Sequence, residues 1–312
     1  MPTCLIDQTE HATLEDLHKY LQFKLKVKQA DYYTKYQPRK DWLTKEPIPF
    51  KNREQYLAAE FLNRDNLNKW IAANPAEGRE WVVRWLAKRR DEKHLAFPPT
   101  QVEMASLIAP TIHSYERYNV LCVEIGYEIR FDGVLDIKSL PPTASIIVDS
   151  REQKPLTLSV PTIRDKVNCG DYSLDPDHDL GVYIERKSLN DFVGTLSDRK
   201  TRGEDSNLDR FTRELERAQE CGAYLIVLVE DTLERTLDFD SLPEFSKLKI
   251  SPDHIFKNLR DLLHRFVNLQ ALFVNGRGEA ARAVVKLLAA GSSVKKTDLQ
   301  FSYESGRLYL KD

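Results

Sequence analysis

The chain has 312 residues, of which 41% are hydrophobic and 30% charged, with a formal net charge of −2. This composition excludes wholesale disorder and is enough for one large or two ordinary folded domains. No apolar run approaches the ~20 residues of a membrane span, so no membrane association is expected, and the charge neither demands nor excludes a polyanionic partner. The four cysteines, Cys4, Cys122, Cys169 and Cys221, are too dispersed for a disulfide framework or a Cys-based zinc site. They read as small buried hydrophobes in a reducing compartment. The N-terminus lacks the basic start and apolar core of a secretory signal, so a cytoplasmic location is expected, with nothing that excludes a nuclear one.

Residues 1–140 read as mainly helical. "ATLEDLHKYLQFKLKVK" opens with a capping-box pattern, Thr13 followed by Asp16, and "NREQYLAAEFLNRDNLNKWIAANP" runs on at helical spacing to Asn74-Pro75. "EGREWVVRWLAKRRDEKH" puts Trp81, Val82 and Trp85 on one face and collects Arg84, Lys88, Arg89, Arg90 and Lys93 toward its C-terminal end. Cations there suit the helix dipole as well as a nucleic-acid contact. In "PPTQVEMASLIAPTIHSYERY", Thr100 caps a short helix carrying Val102, Ala105 and Leu107. A turn at Ala109-Pro110 then leads to a second helix bearing Ser114, Glu116 and Arg117. That is a helix-turn-helix pattern, in competition with plain helical packing. "YNVLCVEIGYEIRFDGVLDI" changes to strand-like alternation with turn signals at Gly126 and Asp132-Gly133, and "SLPPTAS" (139–145) reads as a linker.

From 145 to 291 strands and helices alternate. "SIIVDS", "KVNCGDYSL" and "LGVYIERK" are strand-like; "NLDRFTRELERAQECG" is an amphipathic helix; "AYLIVLVED" is a strand covered on both faces. "SPDHIFKNLRDLLHRF" is a helix, "LQALFVNG" a strand, and "GEAARAVVKLLAAG" a helix closed by Gly291. The alternation predicts an α/β domain with a mixed sheet. Residues 292–312 form an extension, in which "KKTDLQFSYESGRLYLKD" reads as a hairpin around Ser305-Gly306.

The strand ends of this half are acidic. "IIVDSRE" finishes with Asp149, Arg151 and Glu152; "NCGDYSL" places Asp171 after Gly170; "VYIERKS" places Glu185 and Lys187 on one face of a strand and Arg186 on the other. Carboxylates converging on one spot need a cation among them. Mg²⁺ is commonly held by a few carboxylates plus substrate phosphate. A lysine beside them can position an attacking water and offset charge on the phosphorane, as metal-assisted phosphodiester hydrolysis requires. The competing interpretation is a set of unrelated strand-end charges in surface ion pairs.

"VDSRE", "GDYSL" and "IERKSLNDF" stand in order, and together resemble the nuclease signature of the XPF family of endonucleases, a branch of the PD-(D/E)XK group. Its hallmark is GD, a variable stretch, then ERK-x-x-x-D. Here Gly170-Asp171 are followed by thirteen residues, then Glu185-Arg186-Lys187 and Asp191. The resemblance covers about residues 145–275. It implies a three-layer, restriction-endonuclease-like α/β nuclease domain with a mixed sheet, preceded by the mainly helical N-terminal domain. It further implies a catalytic group of Asp171, Glu185, Lys187, Asp149 and Glu152, with Mg²⁺ or Mn²⁺ held by Asp149, Asp171 and Glu185. Arg151 and Arg186 are implied to orient carboxylates or touch phosphate. Arg199, Lys200 and Arg202 would line the DNA path or remain mobile surface charge, and Asp191 has a rival role at a helix start. Family nuclease domains pair through late helices, so "HIFKNLRDLLHRFVNLQALFV" and "ARAVVKLLAA" would supply a homodimer or heterodimer face, or else be buried within the monomer. The chain carries neither a GxxxxGK[ST] P-loop nor a helix-hairpin-helix pattern, so the family's junction specificity does not transfer.

The expected function is therefore a divalent-metal-dependent endonuclease hydrolysing phosphodiester bonds in DNA, in repair or recombination, with structure specificity left open. The alternatives are a catalytically silent DNA-binding scaffold, or the same chemistry on RNA or single strands.

Overall fold

A computed structural model of the chain describes residues 98–105, 122–127, 135–198, 205–245, 248 and 250–308, with isolated positions at 12, 16, 19–20, 79, 82–83, 86–87 and 89–91. The chain forms two compact units, one of residues 1–96 and 107–127, the other of 97–106 and 128–312. No helix among the described residues is long and apolar enough to cross a membrane.

In the first unit the described positions from 79 to 91 are helical. Val82 and Leu86, one turn apart, are fully buried. Arg89, expected in a basic cluster, is buried instead: it donates to Tyr127 Oη (3.2 Å) and stacks over that ring, while Tyr127 Oη donates to the Leu86 carbonyl. Arg90 pairs with Asp91 at 2.7 Å. The strand-like reading near residue 122 is overturned, because Cys122–Ile125 is helical. The Tyr127 N–H donates to Cys122 O and the Gly126 N–H to Val123 O, the paired closure of a helix C-terminus. Gly126 thus ends a helix where a strand turn was expected. Residues 118–121 and 128–134 of that stretch, and the second helix of the helix-turn-helix, with Ser114, Glu116 and Arg117, lie outside the described residues, and 135–137 form no strand.

The second unit is built on one six-stranded sheet. Its strands are β1 (Ile146–Asp149), β2 (Thr162–Asp165), β3 (Tyr172–Leu174), β4 (Val182–Lys187), β5 (Tyr224–Val229) and β6 (Leu269–Phe273). The spatial order is β2-β1-β3-β4-β5-β6, with β3 antiparallel to both its neighbours and the other pairs parallel. The helices are α1 (Gln101–Ala105), α2 (Leu189–Leu196), α3 (Asn207–Glu220), α4 (Leu233–Leu237), α5 (Pro252–Arg265), α6 (Gly276–Ala290) and α7 (Leu299–Glu304). This is the mixed-sheet, three-layer α/β architecture expected from the sequence.

β5, "YLIVLV", is buried at every position because its alternate side chains enter two different cores. Leu225, Val227 and Val229 pack with α2, α3 and α5; Tyr224, Ile226 and Leu228 pack with α6 and the C-terminal segment. On the first side Phe192 of α2 meets Phe273 of β6 edge to face at 5.3 Å. The apolar residues of α5 and α6 that could have offered a pairing face, among them Phe256, Leu259, Leu262, Val284 and Leu287, are buried inside the chain's own cores.

α1 belongs with this unit. Thr100 and Glu103 form a reciprocal capping box, Val102 enters the core beside α5, and Glu103 bonds His264 of α5 at 2.7 Å. The expected C-terminal hairpin is overturned as well. Residues 299–304 are helical, capped by Asp298, whose carboxylate accepts from the Phe301 N–H. Their alternating pattern arose from polar side chains buried against the sheet. Gln300 accepts from the Phe273 N–H (2.8 Å) and donates to the Phe273 carbonyl, so its amide fills the hydrogen-bonding positions of a neighbouring strand on edge strand β6. Gln270 likewise donates to the carbonyls of Val294 and Thr297, and Leu299 and Leu308 are buried in the core.

Candidate active site

The site forms where β1 and β4 end beside the start of β3. β4 starts apolar because Val182 and Ile184 fill the core, and becomes charged at its tip, where Glu185, Arg186 and Lys187 leave that core. The strand alternation separates them as expected. Lys187 Nζ bonds Glu185 Oε1 at 2.8 Å on one face. Arg186 turns to the other, where it bonds Glu152 (3.0 Å) and Glu230 (3.2 Å) with only 8% of its side chain exposed. Arg277 extends this chain of charges by pairing with Glu230 at 3.0 Å and donating to the Lys154 and Pro155 carbonyls. A buried arginine between two carboxylates is an orienting element, and it leaves Arg186 no outward face for phosphate.

Asp171 is fixed by backbone. Its N–H donates to Ile184 O (2.7 Å), its carbonyl accepts from the Asp149 N–H (2.8 Å), and its carboxylate accepts from the Arg186 N–H (2.8 Å). Gly170 makes that approach possible. Its φ is +73°, and a Cβ there would lie 2.7 Å from Ile184 O. Burial first, and the neighbouring Glu185 second, push the Asp171 carboxyl well above the usual carboxylate range.

Asp149 and Glu152 are both held by hydrogen bonds around the turn that follows β1. Asp149, at 1% exposure, receives both arms of the Arg151 guanidinium (2.8 and 3.0 Å) and the N–H groups of Arg151 and Val167. The Arg151 side chain, ahead of burial, holds its carboxyl low, at about 2. Glu152 uses its oxygens on Arg186 and the Lys154 N–H. Asp149 thus accepts four hydrogen bonds and Glu152 three, all around the turn that follows β1.

Among the described residues no three His, Cys, Asp or Glu side chains gather tightly enough to hold a metal ion by themselves. The donor chemistry still fits a hard cation at Asp171 and Glu185. They are neighbouring carboxylates whose mutual repulsion an ion would relieve, and Mg²⁺ characteristically takes one or two protein carboxylates and completes its shell with water and phosphate.

Two contributors from α3 have no counterpart in the sequence reading. The ring of Phe211 lies 5.0 Å from Lys187 Nζ. Glu214 receives the Gly170 N–H and faces Glu185 and Lys187; burial, then Glu185, raise its pKa. Phe211 reads as an ordinary core residue and Glu214 as one of many surface charges in "NLDRFTRELERAQE", so only their i, i+3 spacing hinted at a shared face. Asp191 sits in the first turn of α2, where the Ser188 hydroxyl donates to its carboxylate at 2.6 Å and accepts from its N–H. Arg199, Lys200 and Arg202 lie outside the described residues.

No curated protein and no solved structure matches the chain. The sequence of residues 148–287, which carries all of the site just described, matches the ERCC4 domain. The match supports the resemblance of that segment to the XPF-type nucleases.

Proposed function

We propose that this domain is an active, divalent-metal-dependent endonuclease that hydrolyses phosphodiester bonds in DNA. The observation that supports this most directly is the grouping of Asp171, Glu185 and Lys187 at the joined ends of β3 and β4, within a domain of a nuclease family.

Asp171 and Glu185 would hold the Mg²⁺ or Mn²⁺ ion, which when bound supplies charge neutralisation at the phosphate and an acidified water. Lys187 stands beside Glu185 and over Phe211, nearly enclosed, where an ammonium orients the attacking water and balances negative charge growing on the phosphorane. Glu152, Glu230, Arg186 and Arg277 hold the strand that carries these groups. Asp149 and Arg151 hold the turn beside it.

The test is cleavage of supercoiled plasmid and of duplex, flap, single-stranded and RNA oligonucleotides by the purified chain, with EDTA, Mg²⁺, Mn²⁺ or Ca²⁺. Cutting that requires Mg²⁺ or Mn²⁺ and disappears in D171N and E185Q is expected. A chain that binds DNA in EDTA and cuts nothing with any ion overturns the reading in favour of a silent scaffold. Cutting confined to RNA or single strands changes the substrate and keeps the chemistry.

A further inference from the structure

A cavity of about 590 Å³ opens beside the buried end of Lys187, with its walls formed by one face of α2 and one of α3. Arg210, Arg213 and Arg217 of α3 all line it, and all three are exposed. Their i, i+3, i+7 spacing places them in one stripe along the helix, over a rise of about 10 Å. Neutral donors from the neighbouring wall, Asn190 and Thr195, face the same space.

The charge balance of the cavity favours an anion. Asp191 and Glu214 also line it, but Asp191 is engaged with Ser188, and Glu214 receives the Gly170 N–H and lies in the field of Lys187. Arg213 pairs with Asp205 at 2.7 Å, both side chains being about half exposed, and a solvent-exposed pair of this kind is readily exchanged for another oxyanion. Arg210 donates to Asn207.

We propose that this cleft between α2 and α3 is the path of a nucleic-acid strand, with Arg210, Arg213 and Arg217 taking its phosphates and leading the scissile one to Lys187. The inference rests on the nuclease reading and adds to it the surface that receives the substrate. A stripe of about 10 Å meets two or three successive phosphates of one strand. Arginine suits the task because its fork binds phosphate in two-point contact.

The experiment is equilibrium binding of the full chain, in EDTA, to a fluorescein-labelled duplex and a labelled single strand, by anisotropy across a salt series. R213Q/R217Q is compared with wild type and with R213K/R217K, with fold checked by circular dichroism. Each lost phosphate contact flattens the plot of log K against log salt by about 0.7–0.9, so the Gln pair is expected to flatten it by about 1.5 and to weaken binding at least tenfold near 0.1 M salt. The Lys pair is expected to keep most of the slope. Affinity within twofold of wild type and an unchanged slope overturn the cleft; if wild type still cuts DNA with Mg²⁺, the nuclease reading stands without it. A wild-type chain that neither binds nor cuts overturns both.

Discussion

Gly170 gives the sharpest test of how the site is built. Replacing it with Ala adds a Cβ 2.7 Å from Ile184 O and 3.0 Å from the carbonyl carbon of that residue, and neither can swing aside as a side chain could. The same carbonyl accepts the Asp171 N–H, so any relief moves β3 from β4 at the point where Asp171 is held. The positive φ costs about 1–2 kcal/mol for a residue with a Cβ, the overpacking about 1–3, and the weakened hydrogen bond about 1. G170A is therefore expected to lose about 3–6 kcal/mol. Gly222 separates these contributions, because its φ is +68° and nothing lies within 4 Å of its missing Cβ. G222A should lose only the dihedral part, about 1–2 kcal/mol. Urea unfolding of the three proteins with matched m-values measures both losses. Cleavage by folded G170A should fall by about 100-fold, since displacements near 1 Å at a catalytic group cost that much. If G170A proves no less stable than G222A, the close approach of Gly170 to β4 is not what fixes Asp171.

Further outcomes follow from other parts of the domain. R186M leaves Glu152 without its charged partner in a buried site, while Glu230 keeps Arg277, and should destabilise by about 3–5 kcal/mol, with E152Q added to it recovering much of the loss; a change under 1 kcal/mol in urea unfolding would refute the network. F211L keeps an apolar side chain but removes the ring beneath Lys187. It should lower kcat by about 2- to 30-fold, the range of a cation–π contact, without changing the metal concentration for half activity. Asp298, which caps α7, is pushed up to about 7 by burial. The folded state therefore holds its proton more tightly than the unfolded one, whose carboxyl titrates near 3.8. Its stabilising effect is full below about pH 4 and is lost as pH rises through 7, by roughly 2–4 kcal/mol. D298N should flatten that part of the stability profile, and an unchanged slope between pH 4 and 7 would refute the assignment.

Much of this domain could be read in the sequence because its main elements are strongly periodic or continuously apolar. "AYLIVLVED" could only be a strand covered on both sides, and the stripes of α3, α5 and α6 match a helix against a sheet. The acidic strand tips were legible for the same reason, since charge at the end of an apolar run needs a cleft. β2 was missed because its residues, Thr162 to Asp165, are all exposed and no burial pattern marks them. α7 was misread because Gln300 and Ser302 are buried polar groups, so hydropathy pointed the wrong way. At the site, charge type was legible and partnership was not. Nothing in "DSRE" says that Arg151 closes over Asp149, or that Glu152 reaches across to Arg186.

The amide of Gln300 has a consequence for any shortened form of this protein. A chain ended at Gly291, where the last long helix stops, keeps every residue of the proposed catalytic group and loses the side chain that occupies the Phe273 main chain. Its outermost strand would then offer bare main-chain donors and acceptors to the same strand of another molecule. Such a truncation should accumulate as ordered aggregates while the longer chain stays dispersed.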